Sequence, residues 1–214
     1  MANSEDTREC EAMRKMFVGG INRDTSEKTL STYFDQFGVI VDHAIILDKK
    51  QLPRGFGFIT YDASDAVENV FQNRPHIVDG KILDVKRAMP RELNTTTAHA
   101  KVSKLFVGGV GPDLTPDDLQ AYIESRHPAT VGTIEKIDLT NRNKDFGFIE
   151  CSSNDFADRL TISEHSFTLK GKTMVIKKVD LKQAEVSFRL HLSQLANFSP
   201  KQGVRNPQFP KKLM

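Results

Sequence analysis

Two short strings that interleave phenylalanine, glycine and basic residues occur twice in this 214-residue chain. Met16-Phe17-Val18-Gly19-Gly20-Ile21 returns 89 residues later as Leu105-Phe106-Val107-Gly108-Gly109-Val110. Arg54-Gly55-Phe56-Gly57-Phe58-Ile59 returns 90 residues later as Lys144-Asp145-Phe146-Gly147-Phe148-Ile149. In an extended strand successive side chains point to opposite faces. Phe56 and Phe58 therefore share a face with Arg54 and Thr60, while Gly57, Ile59 and Tyr61 take the other. Ile59 and Tyr61 are the better core, which predicts that the rings and the arginine lie on the solvent side. Phe17 can join them from a neighbouring strand, and Phe106, Phe146, Phe148 and Lys144 repeat the set. Flat exposed rings accept stacked bases at about 1–3 kcal/mol each, and the cations hold phosphates. A duplex cannot offer its bases in this way, so the pattern points to single strands. Core packing competes as a reading for any one phenylalanine, but two matched triplets argue against it for the set.

The surrounding elements must position these residues. A period near 90 suits a duplicated small domain better than a solenoid. In the first copy a strand at 16–20 leads to Asp24 and Thr25 as helix N-cap candidates, and Leu30, Tyr33, Phe34 and Phe37 follow at helical spacing. In the second, Thr115 caps, Pro116 opens and Asp117 and Asp118 face the dipole of the matching helix. Strands are predicted near 41–47 and 54–61, and near 134–139 and 145–151. Second helices fall near 64–72 and 153–161, and closing strands near 82–87 and 173–178. The order βαββαβ is the split βαβ arrangement. The expected class is α+β: two ferredoxin-like domains, each a four-stranded antiparallel sheet with two helices on one face and the other face open.

Composition narrows the alternatives. Hydrophobic residues make up 38% and charged residues 27%, enough for packed cores. Lys and Arg total 30 against 28 acids, a net charge of +2, which excludes a polybasic histone-like binder while allowing local basic surfaces. Cys10 and Cys151 cannot build a disulfide scaffold, and no Cys/His spacing suits a metal, so no metal or other cofactor is expected. A reduced compartment is favoured. The start of the chain has no apolar leader and no stretch approaches a membrane span, so membrane partners are not expected. Gly171-Lys172-Thr173 copies the end of a phosphate-binding loop, but Ser166 stands where that loop needs glycine, and a surface turn explains the string. No catalytic set emerges; neither enzyme activity nor a small-molecule substrate is expected.

Arg54 to Tyr61 fits the octamer K/R-G-F/Y-G/A-F-V-x-F/Y with Ile for Val, and Met16 to Ile21 resembles the companion hexamer. The chain thus resembles the RNA recognition motif family. Asn73 to Gly80, Val85-Lys86-Arg87-Ala88 and the linker near 90–103 resemble the heterogeneous nuclear ribonucleoprotein A/B and Musashi proteins. The second copy, with its short loop Thr140–Asn143, is also similar to the TAR DNA-binding protein family. It departs from the octamer at Asp145 and Cys151, both expected to face the helices, while Glu150 is expected on the open face, where it weakens phosphate attraction. The resemblance implies that Lys86 and Arg87 approach bases or linker, that His99 in the linker stacks on a base, and that Arg87 could instead pair with Asp155 between the domains. Ser153 replaces the acid that would match Arg74, which implies a weakened interface. It implies RNA binding in a ribonucleoprotein, a nuclear or additionally cytoplasmic location, and a role in mRNA processing or post-transcriptional regulation.

Domains are expected at 14–90 and 104–180, joined by a linker at 91–103, with an acidic tail at 1–13. A basic tail at 181–214 carries a weakly favoured helix at 181–196. Their net charges are +1, −2, +1, −3 and +5 in that order, so the first domain is expected to carry most of the RNA affinity. Phe17, Phe56 and Phe58 with Lys15, Arg54, Lys86 and Arg87 form the first candidate site. Phe106, Phe146 and Phe148 with Lys104, Lys144 and Lys177 form the second. The expected partner is single-stranded RNA. Alternatives are single-stranded DNA, including telomere repeats, and a protein-interaction module in which the acidic second domain binds other ribonucleoprotein components.

Overall fold

A computed structural model describes residues 11–93, 100–139 and 146–178. The N-terminal segment to Cys10, His99, Lys144, Asp145 and the expected helix at 181–196 lie outside the described residues.

The first half runs α1 (Glu11–Arg14), β1 (Lys15–Gly19), α2 (Glu27–Phe34), β2 (Ile40–Leu47), β3 (Pro53–Tyr61), α3 (Ser64–Gln72), β4 (His76–Val78) and β5 (Lys81–Arg87). The second half repeats it with β6 (Lys104–Gly108), α4 (Pro116–Arg126), β7 (Ile134–Asp138), β8 (Phe146–Cys151), α5 (Asn154–Ser163), β9 (Ser166–Leu169) and β10 (Lys172–Lys178). The sheets are ordered β2-β3-β1-β5-β4 and β7-β8-β6-β10-β9, antiparallel at every described pairing. The phenylalanine-bearing β1 and β3, and β6 and β8, are thereby neighbours.

Each sheet has five strands where four are expected. The extra strand, β4 or β9, is too short to show a hydrophobic period, and a two-residue turn folds it onto the next strand. Val78 pairs with Lys81 across Asp79-Gly80, and Leu169 with Lys172 across Lys170-Gly171. All four turn residues have positive φ, between 47° and 73°, the geometry of a type I′ hairpin. Asp79 is further held by the Thr25 hydroxyl, which donates to it at 2.6 Å. Thr25 is therefore a turn anchor, and neither it nor Asp24 caps α2. Ser26 does, its hydroxyl accepting from the Thr29 amide at 3.0 Å. In the second half Thr115 and Asp118 form a reciprocal capping box.

The core lies between one face of each sheet and its helices. Met16, Val18, Ile59, Tyr61 and Val85 from the first sheet meet Leu30, Phe34, Val67 and Val70 from α2 and α3. Leu105, Val107, Ile149, Cys151 and Ile176 meet Leu119, Ile123, Phe156 and Leu160 in the second. Tyr61 is fully buried yet satisfied, donating its hydroxyl to the Phe34 carbonyl at 3.0 Å. Cys151 takes the position of Tyr61 in the second core, where burial pushes its thiol up to about 12; it is packing, with no thiolate at neutral pH.

Polar contacts join α3, and Arg74 in the loop that follows it, to α5. The Arg74 guanidinium grips Asp155 with two bonds of 2.6 and 3.1 Å, while its second amino group also donates to the Val85 carbonyl. Arg74 thus makes the Asp155 pairing considered for Arg87. Ser153 does not leave Arg74 without a carboxylate, since Asp155 supplies one; the Ser153 hydroxyl caps α5. Glu68 accepts from Arg159 at 2.6 Å and from Arg87.

Candidate nucleic-acid interface

The register places the rings. Phe17 on β1 stands opposite Phe58 on β3, and Gly19 opposite Phe56. Phe106 on β6 stands opposite Phe148 on β8, and Gly108 opposite Phe146. The alternation that buries Met16, Val18, Ile59 and Tyr61 sends these rings to the sheet face without helices, and all six are only partly buried.

The two triplets have nearly the same geometry. Phe17 and Phe56 lie 5.6 Å apart at an interplanar angle of 27°, and Phe106 and Phe146 lie 5.5 Å apart at 27°. Phe58 stands edge-on to Phe17 at 5.8 Å and 73°, and Phe148 to Phe106 at 6.1 Å and 75°. The glycine two residues on explains the seat of the first ring. A Cβ added at Gly19 would lie 2.9 Å from Cε1 of Phe17, and one added at Gly108 would lie 2.9 Å from Cε1 of Phe106. Only a residue without a side chain lets the ring fold forward over its own strand and meet its partner on β3 or β8.

Cations flank the first platform. The Arg54 guanidinium sits 4.8 Å from the Phe56 centroid and the Lys86 ammonium 4.9 Å from that of Phe17. These contacts are cation–π in kind. Lys15 belongs to the same face, opposite Thr60, and pairs with Glu11 at 3.3 Å. In the second domain Lys177 stands opposite Phe106 as Lys86 stands opposite Phe17. Lys104 lies 5.3 Å from the Phe148 centroid and bonds Glu150 at 3.0 Å. That hydrogen bond and charge hold the Glu150 carboxyl below the usual carboxylate range. The open-face position expected for Glu150 matches its register opposite Lys104.

Arg87 departs from the expectation. It pairs with the core residue Met16, and is 2% exposed, on the helix side. Its guanidinium donates to the Met13 carbonyl at 3.0 Å and to Glu68. The residue before it, Lys86, takes the open face, so alternation cannot give both to a ligand on that face. Arg87 is a structural ion-pair residue. Sequence reasoning also passed over Asp84, whose place on the open face follows from the same alternation along β5, and the ring-seating role of Gly19 and Gly108.

No group of three or more His, Cys, Asp or Glu side chains arranged for a metal occurs among the described residues. No helix among them is long and apolar enough to cross a membrane.

Residues 16–83 match the family model of the RNA recognition motif. Among solved structures, the RNA-binding domain of Hrp1 in complex with RNA is 34% identical, covers 79% of this chain and 98% of its own, and has a TM-score of 0.37. Hrp1 in a ternary complex with Rna15 and an anchor RNA of 3′ processing is also 34% identical, at 78% and 97% coverage and a TM-score of 0.34. The first two RNA recognition domains of Sex-lethal from Drosophila melanogaster are 16% identical, at 78% and 99% coverage and a TM-score of 0.38. The family match covers the strands that carry Phe17, Phe56 and Phe58, and the chain therefore carries an RNA recognition motif.

Proposed function

We propose that this protein binds single-stranded RNA on the open faces of both sheets, without catalysis, by stacking bases on Phe17, Phe56 and Phe58 and on Phe106, Phe146 and Phe148. The observation that carries the reading is the duplicated ring geometry on two faces that no helix covers. Rings so arranged gain nothing from each other that burial would not give more cheaply, whereas a base stacked on each contributes about 1–3 kcal/mol. Lys15, Arg54 and Lys86, with Lys104 and Lys177, supply the cationic rim; Lys144 extends it, and by family resemblance the linker residue His99 stacks on a base. The first domain binds more tightly than the second, because its net charge is +1 against −2 for the second. An RNA-processing role in the nucleus, in the manner of the A/B ribonucleoproteins, is the cellular setting this reading adopts.

Replacing Phe56 and Phe58 with Ala in the full chain tests it. RNA affinity measured by fluorescence anisotropy is expected to fall, while capture of protein partners is retained. Unchanged RNA affinity with lost partner capture would favour a protein-interaction module instead.

A further inference from the structure

The two platforms carry the same rings but differ in what stands beside them. The Phe17 ring folds over Gly19, and the residue opposite Gly19 on the next strand is Asp84. The Phe106 ring folds over Gly108, and the residue opposite Gly108 is Val175. Neighbouring strands are separated by about 4.8 Å, so on the open face each of these residues occupies the position beside the glycine over which the ring folds. One step further along the same strands, Lys86 and Lys177 are matched. The first platform thus flanks its leading ring with a carboxylate and an ammonium, and the second with an isopropyl group and an ammonium.

Asp84 is half exposed, and its ion pair with Lys101 at 3.5 Å joins two solvent-facing groups. Such a pair is worth little and yields easily to a better partner. An ionised carboxylate only accepts hydrogen bonds. A base lying on Phe17 therefore meets an acceptor-only group at one edge and a donor-only group, Lys86, nearby.

Resting on the reading of these faces as RNA-binding, we infer that Asp84 makes the first domain select a base with an exocyclic amino group over uracil at Phe17, and that the second domain lacks this selection because Val175 stands in its place. Cytosine offers N4–H₂ as a donor beside ring acceptors, and adenine offers N6–H₂ likewise. Uracil has O4 where cytosine has its amino group, and its only ring donor lies between two carbonyl oxygens that the carboxylate repels.

The test compares oligocytidine with oligouridine of about eight nucleotides, which differ at the edge in question and hardly in size. The full chain carries Phe106→Ala and Phe148→Ala, so that the first face is read. With Asp84 present, oligocytidine is expected to bind on the order of tenfold more tightly, and Asp84→Val abolishes the difference. In the reverse arrangement, Phe17→Ala and Phe58→Ala silence the first face, and Val175→Asp is expected to create the preference there. A preference for cytidine that survives Asp84→Val, or its absence in the starting chain, overturns the inference and leaves the stacking reading standing. Failure of the chain with all six rings to bind either oligonucleotide overturns both.

Discussion

Lys104 and Glu150 face each other across β6 and β8 with 3.0 Å between Nζ and Oε1, at the row where Lys15 faces Thr60 in the first domain. Carboxylate for hydroxyl at this row is one difference between the two platforms. Exchanging Glu150→Thr releases Lys104 from its bond and removes a negative charge from the face. RNA affinity of the second domain is expected to rise, and its dependence on log salt to steepen by about 0.7, the slope for one additional phosphate contact on a single strand. Anisotropy titrations at several salt concentrations, with the first face silenced by Phe17→Ala and Phe58→Ala, measure both.

Gly19 seats the Phe17 ring, so a single methyl there is expected to act on binding more than on folding. In Gly19→Ala the new Cβ would lie 2.9 Å from Cε1 of Phe17. The ring, partly exposed, swings aside and the stacked pair with Phe56 opens. The loss amounts to a fraction of one stacking interaction, about 1 kcal/mol or a fivefold weaker complex. Thermal denaturation alongside the RNA titration separates the two effects.

Glu68 and Asp155 each pair with arginine, yet their removal is expected to differ sharply. Glu68 is the carboxylate that serves Arg87, whose side chain is 0% exposed, and it also accepts from Arg159. Glu68→Ala strands a buried guanidinium and is expected to cost about 3 kcal/mol. The Arg74–Asp155 pair has about one third of each side chain in solvent, so Asp155→Ala is expected to cost no more than about 1 kcal/mol. Urea denaturation of the two variants gives the comparison.

His76 makes the first domain sensitive to mild acid. It is buried, its Nε2–H donates to the Val70 carbonyl at 2.8 Å, and its Nδ1 accepts from the Tyr33 hydroxyl at 3.1 Å. Burial first, and the nearby Arg74 charge, hold its pKa below the usual value against the Val70 bond. With the folded value below the unfolded one near 6.5, the unfolded chain binds more protons between them, so stability rises with pH there. Stability is full above about pH 6.5 and falls as the pH drops through the folded value. The urea midpoint of the first-domain transition, followed from neutral pH downward, is expected to show this decline. His76→Gln removes that component.

Much of this architecture can be read from residue order, because period-2 alternation and helical spacing act locally. The faces of Phe56, Phe58, Ile59 and Tyr61 follow from that alternation, and so does the burial of Cys151. The elements that escape are those set by tertiary contact. Strands β4 and β9 exist because a two-residue turn with positive φ lays them on the sheet edge, and three or four residues carry no period. Ser26 outcompetes Thr25 as the cap of α2 because Asp79, 54 residues away in sequence, draws the Thr25 hydroxyl elsewhere. Arg87 reads as a ligand-facing cation in isolation. Only its pairing with Met16, the Met13 carbonyl and Glu68 shows that its charge is answered inside the protein.

Ultraviolet crosslinking of the full chain to a single-stranded RNA, followed by mass spectrometry of the adducts, tests the central claim most directly. Adducts on Phe17, Phe56 and Phe58, and less abundantly on Phe106, Phe146 and Phe148, are the expected result. Adducts confined to α2, α3, α4 or α5, with the six rings unmodified, would contradict it.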